Sequence, residues 1–253
     1  MARNTGKKVR RRGRRRKRGF ATWSIGKKIG AVLGGTLLGV VVIGSVILAS
    51  KMNKLSSVKL DTDKLNISDE VKHEKGYTNV ALFGLDSREN DLGKGNRSDT
   101  IIIASLNNDT KEVKLVSIYR DTLLELDDGS YNKANSAYSF GGPEGAVSLI
   151  NRNLDMNIEK YVTVNFNALV DVIDAVGGLD LELTHDEVVH MNNYCVETSK
   201  VTGKSYEKIE PEVEGTYHLN GVQAVSYSRI RYTEGGDFKR AERQRLVLQK
   251  IAD

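Results

Sequence analysis

Apolar residues fall into distinct regimes along the chain. From Ile29 to Ser50 they form a run of 22 residues without a charge, bounded by Lys28 and Lys51. At about 1.5 Å per residue, a helix of that length crosses a hydrocarbon core of about 30 Å. A cleavable leader has an apolar region of only about 7–15 residues, and Leu48-Ala49-Ser50 is a poor cleavage site. The run is therefore read as an uncleaved transmembrane signal anchor. Residues 51–76 are polar with no sustained apolar period, as in a stalk.

From Tyr77 the pattern changes to that of a folded domain, residues 77–253. Val80–Leu85 is a short apolar run predicting a buried strand. Thr100–Leu106 and Val113–Ile118 are β-branched runs separated by Asn107-Asn108-Asp109-Thr110, which predicts a hairpin with an Asx-type turn. Leu123–Leu126 suits a short strand. Pro143 stands where a first helical turn begins, and Ala146, Val147, Leu149, Ile150 and Leu154 follow at helical spacing. Tyr161–Phe166 reads as a strand. Phe166, Leu169, Val170, Ile173 and Val176 mark one helix face, stopped by Gly177-Gly178. Leu179–Leu183 alternates as a strand, residues 185–212 receive no assignment, and Gly221–Tyr227 and Asp237–Ala252 read as helices. The mixture of hairpins and strand–helix–strand units predicts an α/β fold. Its expected form is an α-β-α sandwich around a mixed central sheet, preceded by one N-terminal transmembrane helix.

Charge fixes the orientation. Residues 1–28 carry thirteen Lys or Arg and no acid, whereas the rest carries 25 basic and 33 acidic residues, so the net +5 is 13 minus 8. Thirteen positive charges before the span place the N-terminus in the cytoplasm. The folded domain is then extracellular, on a single-pass cell-membrane protein. Arg10–Arg18 also resembles a nucleic-acid arm or twin-arginine signal, but a topology determinant touching anionic lipid accounts for it. The acidic domain argues against a nucleic-acid partner. Cys195 is the only cysteine, so no intrachain disulfide forms.

The domain's charged residues cluster in short segments: Asp86-Ser87-Arg88, Arg97-Ser98-Asp99, Arg120-Asp121, Arg229-Ile230-Arg231 and Asp237 to Gln244. Asp86 directly follows an apolar strand, at the carboxyl end where open α/β sheets hold ligands. Asp99 begins the next strand beyond the Gly93–Gly95 loop. If that loop folds back, the two acids share a divalent ion, and Mg²⁺ accepts one or two carboxylates plus phosphate oxygens. Strand termination alone also accounts for both. Arg120 follows a strand, Arg229 and Arg231 project to one side of an extended stretch, and Arg240, Arg243 and Gln244 share a helix face. Arg240 is also near a helix N-terminus that favours anions. Planar guanidinium forks suit phosphate, and the neighbouring span suggests a phosphate carried on lipid. Lys239, Arg245 and Lys250 read as solvated. No P-loop, Gly-x-Ser-x-Gly elbow, Cys cluster or His pair in metal-ligating register occurs.

Together these residues resemble the LytR–CpsA–Psr family of bacterial cell-envelope enzymes. The matching stretches are Leu82–Arg88, Arg97–Thr100, Ser117–Thr122, Asn132–Tyr138, Val176–Leu179, Leu219–Ala224, Tyr227–Tyr232 and Asp237–Gln244, in family order over roughly 77–252. The resemblance implies a phosphotransferase that moves a glycopolymer, such as teichoic acid or capsule, from a polyprenyl diphosphate carrier to the muramic-acid 6-hydroxyl of peptidoglycan, with diphosphatase activity on the side. It implies Asp86 and Asp99 as acids associated with Mg²⁺ (or Mn²⁺), and Arg97, Arg120, Arg229, Arg231, Arg240 and Gln244 as a diphosphate clamp supported by Asp237. It also implies a prenyl tunnel lined by elements around residues 146–176. The motifs do not identify a general base for the sugar hydroxyl; Asp99 or Asp121 are the candidates. Two departures stand out: Tyr119 replaces a usual proline before Arg120, and family members commonly run on past Asp253. The rival readings are a membrane-tethered transcriptional regulator and a non-catalytic polyprenyl-phosphate binding module.

Overall fold

Strand β1 (Tyr77–Leu85) sends alternate side chains to opposite faces of a sheet. Ala81, Phe83 and Leu85 are buried on one face, while Leu82 and Gly84 look out from the other. β2 (Ser98–Asn107) pairs antiparallel with β1, and β3 (Val113–Ser117) antiparallel with β2. The predicted hairpin is present: the Asn107 side chain accepts from the amides of Asp109 and Thr110 at 2.9 and 3.1 Å. β4 (Leu123–Glu125) and β5 (Tyr131–Lys133) make a separate small hairpin. β6 (Lys160–Val164) runs parallel to β1, giving a mixed sheet in the order β3-β2-β1-β6.

The computed structural model describes residues 58–71, 76–87 and 91–252, and the folded unit begins at Lys59. The predicted basic tail and span, and residues 51–57 and 72–75 of the predicted stalk, lie outside the described residues. Residues 59–71 of that stretch are instead part of the folded unit, with Leu65 fully buried and Asn66 donating to Ser148 Oγ at 2.6 Å. Among the described residues, no helix is long and apolar enough to cross a membrane.

Helix α1 (Ser136–Leu154) is two segments joined at Gly142, whose φ of 66° only glycine adopts cheaply, with Pro143 opening the second segment as its position suggested. Its Ala146, Val147, Leu149 and Ile150 pack with Phe83, Leu85, Ile101 and Ile103 to form a first core on one face of the sheet. A second core gathers the remaining elements: α2 (Phe166–Ala175), the hairpin of β7 (Leu179–Leu183) with β8 (Gly215–Leu219), α3 (His185–Thr202), α4 (Gly221–Ser228) and α5 (Gly236–Ala252). α2 contacts the sheet at β6 and α5 contacts it at β3.

Much of the unassigned stretch 185–212 is helix α3. Thr184 and Glu187 close a reciprocal capping box at its start, and Gly203 ends it in the left-handed region. Val188, Met191 and Cys195 form the buried stripe of α3, interleaved with buried Asn192 and Thr198. Burial pushes the Cys195 thiol up to about 11, so it acts as a small core hydrophobe.

Candidate active site

The site begins with an irregularity in the central sheet. Gly84 pairs with Thr100 but Leu85 pairs with Ser98, so Asp99 is the extra residue of a β-bulge. Bulges re-aim side chains, and here Asp99 joins Thr100 in facing the same side as Ile102. Asp86 follows directly from the end of β1 and is exposed there.

Asp99 is the hub of an ion network. Arg120 Nη1 donates to Asp99 Oδ2 at 2.9 Å, and Arg231 Nη2 stands 3.5 Å from the same oxygen. Arg231 Nε pairs with Asp237 Oδ1 at 3.5 Å, and Arg240 Nη2 reaches Asp237 Oδ2 at 3.3 Å and the Asp99 carbonyl at 3.2 Å. Three guanidiniums thus share two carboxylates. Burial would lower the Arg120 pKa, but the charge and hydrogen bond of Asp99, with Asp121, more than offset it and the value is raised. Arg240 is buried and its Nε has no hydrogen-bond partner. A buried orphan donor costs about 1–3 kcal/mol, and an oxygen-rich ligand would relieve it.

Arg229 is held differently. It caps the C-terminus of α4, donates to Thr198 Oγ1 at 3.0 Å and Glu197 Oε2 at 2.9 Å, and lays its guanidinium 4.4 Å from the Phe166 ring centroid. Arg229 and Arg231 flank Ile230, which is fully buried in the second core. The sequence expectation of alternation survives, although the segment is a helix end and loop instead of a strand. Arg243 points away from the cavity: its Nε pairs with Glu187 at 2.9 Å, and its other nitrogens donate to the Ile230 carbonyl and Thr233 Oγ1. It pins the loop that carries Arg231.

These groups border a cavity of about 540 Å³ between the outer face of the sheet and helices α2 and α5. Both rails run from polar to apolar. Along β1 and β2 the lining passes from Asp86, Asp99 and Thr100 to Leu82 and Ile102; along α5 it passes from Arg240 and Gln244 to Val247, Leu248 and Ile251. Val162, Val164, Leu169 and Val172 complete the apolar wall. Four arginines face two aspartates at the charged end, which suits a polyanion, while the other end suits a hydrocarbon chain.

Seven of the nine residues chosen from sequence line this one cavity: Asp86, Asp99, Arg120, Arg229, Arg231, Arg240 and Gln244. Asp237 supports two of its arginines from outside the lining. Arg97 is exposed before β2 and is not part of the lining. The expected tunnel wall from 146–176 is narrowed to its later part, β6 and α2. Ala146, Val147, Leu149 and Ile150 belong to the first core, against the opposite face of the sheet. Asp121 is drawn to Lys133 and Arg120, which hold its carboxyl below the usual range and make it a weak base. Glu197, Thr198, Phe166 and Tyr194, which surround Arg229, went unnoticed as site residues. Arg245 is not merely solvated, since its Nη1 donates to Ser117 Oγ at 2.7 Å.

The family model for LytR_cpsA_psr matches residues 42–253. The chain belongs to the LytR–CpsA–Psr family. Within that family, polyisoprenyl-teichoic acid–peptidoglycan teichoic acid transferase TagU of Bacillus cereus (strain AH820) is 35% identical over 239 residues, covering 90% of this chain and 69% of TagU. TagV of Bacillus subtilis (strain 168), which carries the same transferase name, is 36% identical over 196 residues, covering 76% of this chain and 47% of TagV. Among solved structures, the LytR-CPS2A-psr family protein YwtF (TagT) with bound octaprenyl pyrophosphate lipid matches with a TM-score of 0.59 at 26% identity, covering 78% of this chain and 73% of that one. TagT bound to LIIa-WTA matches with a TM-score of 0.61 at 26% identity, covering 78% and 71%. The mixed α/β architecture with its central mixed sheet is therefore the family's own.

Proposed function

We propose that this protein is a phosphotransferase that moves a glycopolymer, of the teichoic acid or capsule class, from a polyprenyl diphosphate carrier to peptidoglycan. The observation that carries this reading is the graded cavity, in which an arginine-rich end adjoins a hydrocarbon-lined end. A prenyl diphosphate has the same two-part chemistry. The TagU and TagV transferases and the lipid-bound TagT structure support it.

The diphosphate sits among Arg120, Arg231 and Arg240, with Arg229 beside it, and the prenyl chain lies against Leu82, Ile102 and Val247. The muramic-acid 6-hydroxyl attacks the phosphorus that carries the sugar. A new P–O bond forms, the bond to the bridging oxygen breaks, and lipid monophosphate departs. Preformed guanidiniums spread the charge that builds on the leaving phosphate, so positioning and electrostatics supply most of the acceleration. Water in place of the sugar hydroxyl gives a slow diphosphatase side reaction.

Asp86 and Asp99 fit a role toward Mg²⁺ (Mn²⁺ being the alternative). They bring two carboxylates to the cavity, and among the described residues no group of three acids, histidines or cysteines offers a self-sufficient metal site. A cation completed by phosphate oxygens matches that donor set. When bound it would supply further neutralisation of the diphosphate. The uncharged run 29–50 and the basic tail support a single-pass cell-membrane protein whose catalytic domain, beginning at Lys59, lies outside.

Purified chain, lipid-linked donor and peptidoglycan should yield a new phosphodiester detectable by mass spectrometry. Lipid capture without product would replace this reading with that of a binding module.

A further inference from the structure

Three exposed aromatic residues surround the ion network without lining the cavity. Tyr119 precedes Arg120, Phe238 follows Asp237, and Tyr232 follows Arg231. Tyr232 is 76% exposed, Phe238 64% and Tyr119 39%. Tyr119 and Phe238 meet edge to face, their centroids 4.6 Å apart and their planes at 71°. The Tyr232 ring stands 6.1 Å from His190.

We propose that Tyr119, Phe238 and Tyr232 form a saccharide-stacking surface that receives the acceptor glycan strand of peptidoglycan at the charged mouth of the cavity. The inference rests on the transfer reaction proposed above and assigns its second substrate a place. Large exposed apolar surface flanking a polar site marks contact with a partner. Aromatic faces carry negative charge density that attracts the polarised C–H edges of a pyranose ring, while the sugar hydroxyls stay in water. The perpendicular pair presents two ring faces as a corner, and Tyr232 adds a third.

Position decides between the two sugar-bearing substrates. The donor is held inside the cavity by its diphosphate and lipid, so the lining residues contact it. None of these three aromatics belongs to the lining. They meet a molecule that arrives from outside, and each is one residue from a group that holds or supports the diphosphate. A glycan stacked there brings its hydroxyl toward Arg120, Arg231 and Asp237.

The test uses the purified full chain with lipid-linked donor and uncross-linked glycan strands as acceptor. Octaprenyl diphosphate binding is measured in parallel. The double variant Y119A/F238A should raise the acceptor KM by roughly tenfold or more, the scale of losing one to two aromatic contacts. Y232A should raise it less, and Y119F and Y232F should restore wild-type values. Octaprenyl diphosphate affinity and donor KM should not move. An unchanged acceptor KM would overturn the proposal. So would a raised donor KM with unchanged lipid affinity, which would give the surface to the donor's first sugar. A fall in lipid affinity would make the Tyr119–Phe238 pair a latch that positions Arg120. Co-sedimentation with insoluble peptidoglycan separates this inference from the reaction itself. If the wild type transfers nothing yet sediments with the polymer, and Y119A/F238A does not, the surface stands and the transfer reading falls.

Discussion

At the residue scale, the bulge at Asp99 matters most, because one extra residue lets a single carboxylate meet Arg120 and Arg231 at once. Arg120 is held by the network but is not in the core. Replacing it with alanine should lower transfer by about 100-fold or more, the usual effect of losing one preorganised donor to a developing charge. The fold should survive, with a melting temperature within a few degrees of wild type. Arg120→Lys should recover little, because an ammonium cannot reproduce the fork. His218 provides a separate test. Its Nδ1 faces Asp180 Oδ1 and its Nε2 faces the Gly177 carbonyl, both at 2.8 Å, so only the doubly protonated ring satisfies both acceptors. The hydrogen bonds to Asp180 and then Gly177 raise its pKa above 6.5. Its contribution is therefore complete below the unfolded-state value and fades as pH rises through the higher folded-state value. His218→Gln should lower the melting temperature at pH 6 and have much less effect at pH 9, checked by thermal melts at both.

At the element scale, α3 shows where sequence reading stops. The strands and helices that carry Asp86, Asp99, Arg120 and Arg240 were legible because each pairs a clear apolar period with a charged terminus. α3 interleaves buried Asn192 and Thr198 with Val188, Met191 and Cys195, so its polar-rich stripe hides the period. Thr184-x-x-Glu187 was the available sign of a start. Missing this helix meant missing Glu197 and Thr198, the partners of Arg229. Arg97 stands outside the lining for another reason: its motif neighbours Ser98 and Asp99 lie on the strand, whereas Arg97 sits before it, and spacing cannot tell these apart. Glu187 joins the cap of α3 to Arg243 in a buried pair. Glu187→Ala should destabilise the fold by about 3–5 kcal/mol by stranding the arginine's charge. Adding Arg243→Met should recover part of that loss in denaturant titrations. It should not recover transfer, since the loop bearing Arg231 loses its pin.

At the scale of the whole molecule, the two hydrophobic cores lie on opposite sides of the central sheet, and the lining mixes residues of the second core with sheet residues. Of these, Phe83 and Leu85 belong to the first core, while Leu82, Ile102, Val162 and Val164 belong to neither. Val162 is about half exposed and lines the cavity, so it is a site where bulk can be added without disturbing either core. Val162→Trp should weaken binding of a long polyprenyl diphosphate severalfold and leave a short-chain diphosphate nearly unaffected, as measured by titration of both ligands.

The cavity between sheet and helices also has a mechanical meaning. The carrier's hydrocarbon tail becomes a borrowed piece of interior, touching strands on one side and helices on the other, as a keystone touches both limbs of an arch. An unladen molecule should then melt along this seam before it melts elsewhere. Destabilised variants should regain several degrees when saturated with carrier lipid, so cargo-laden molecules outlast idle ones.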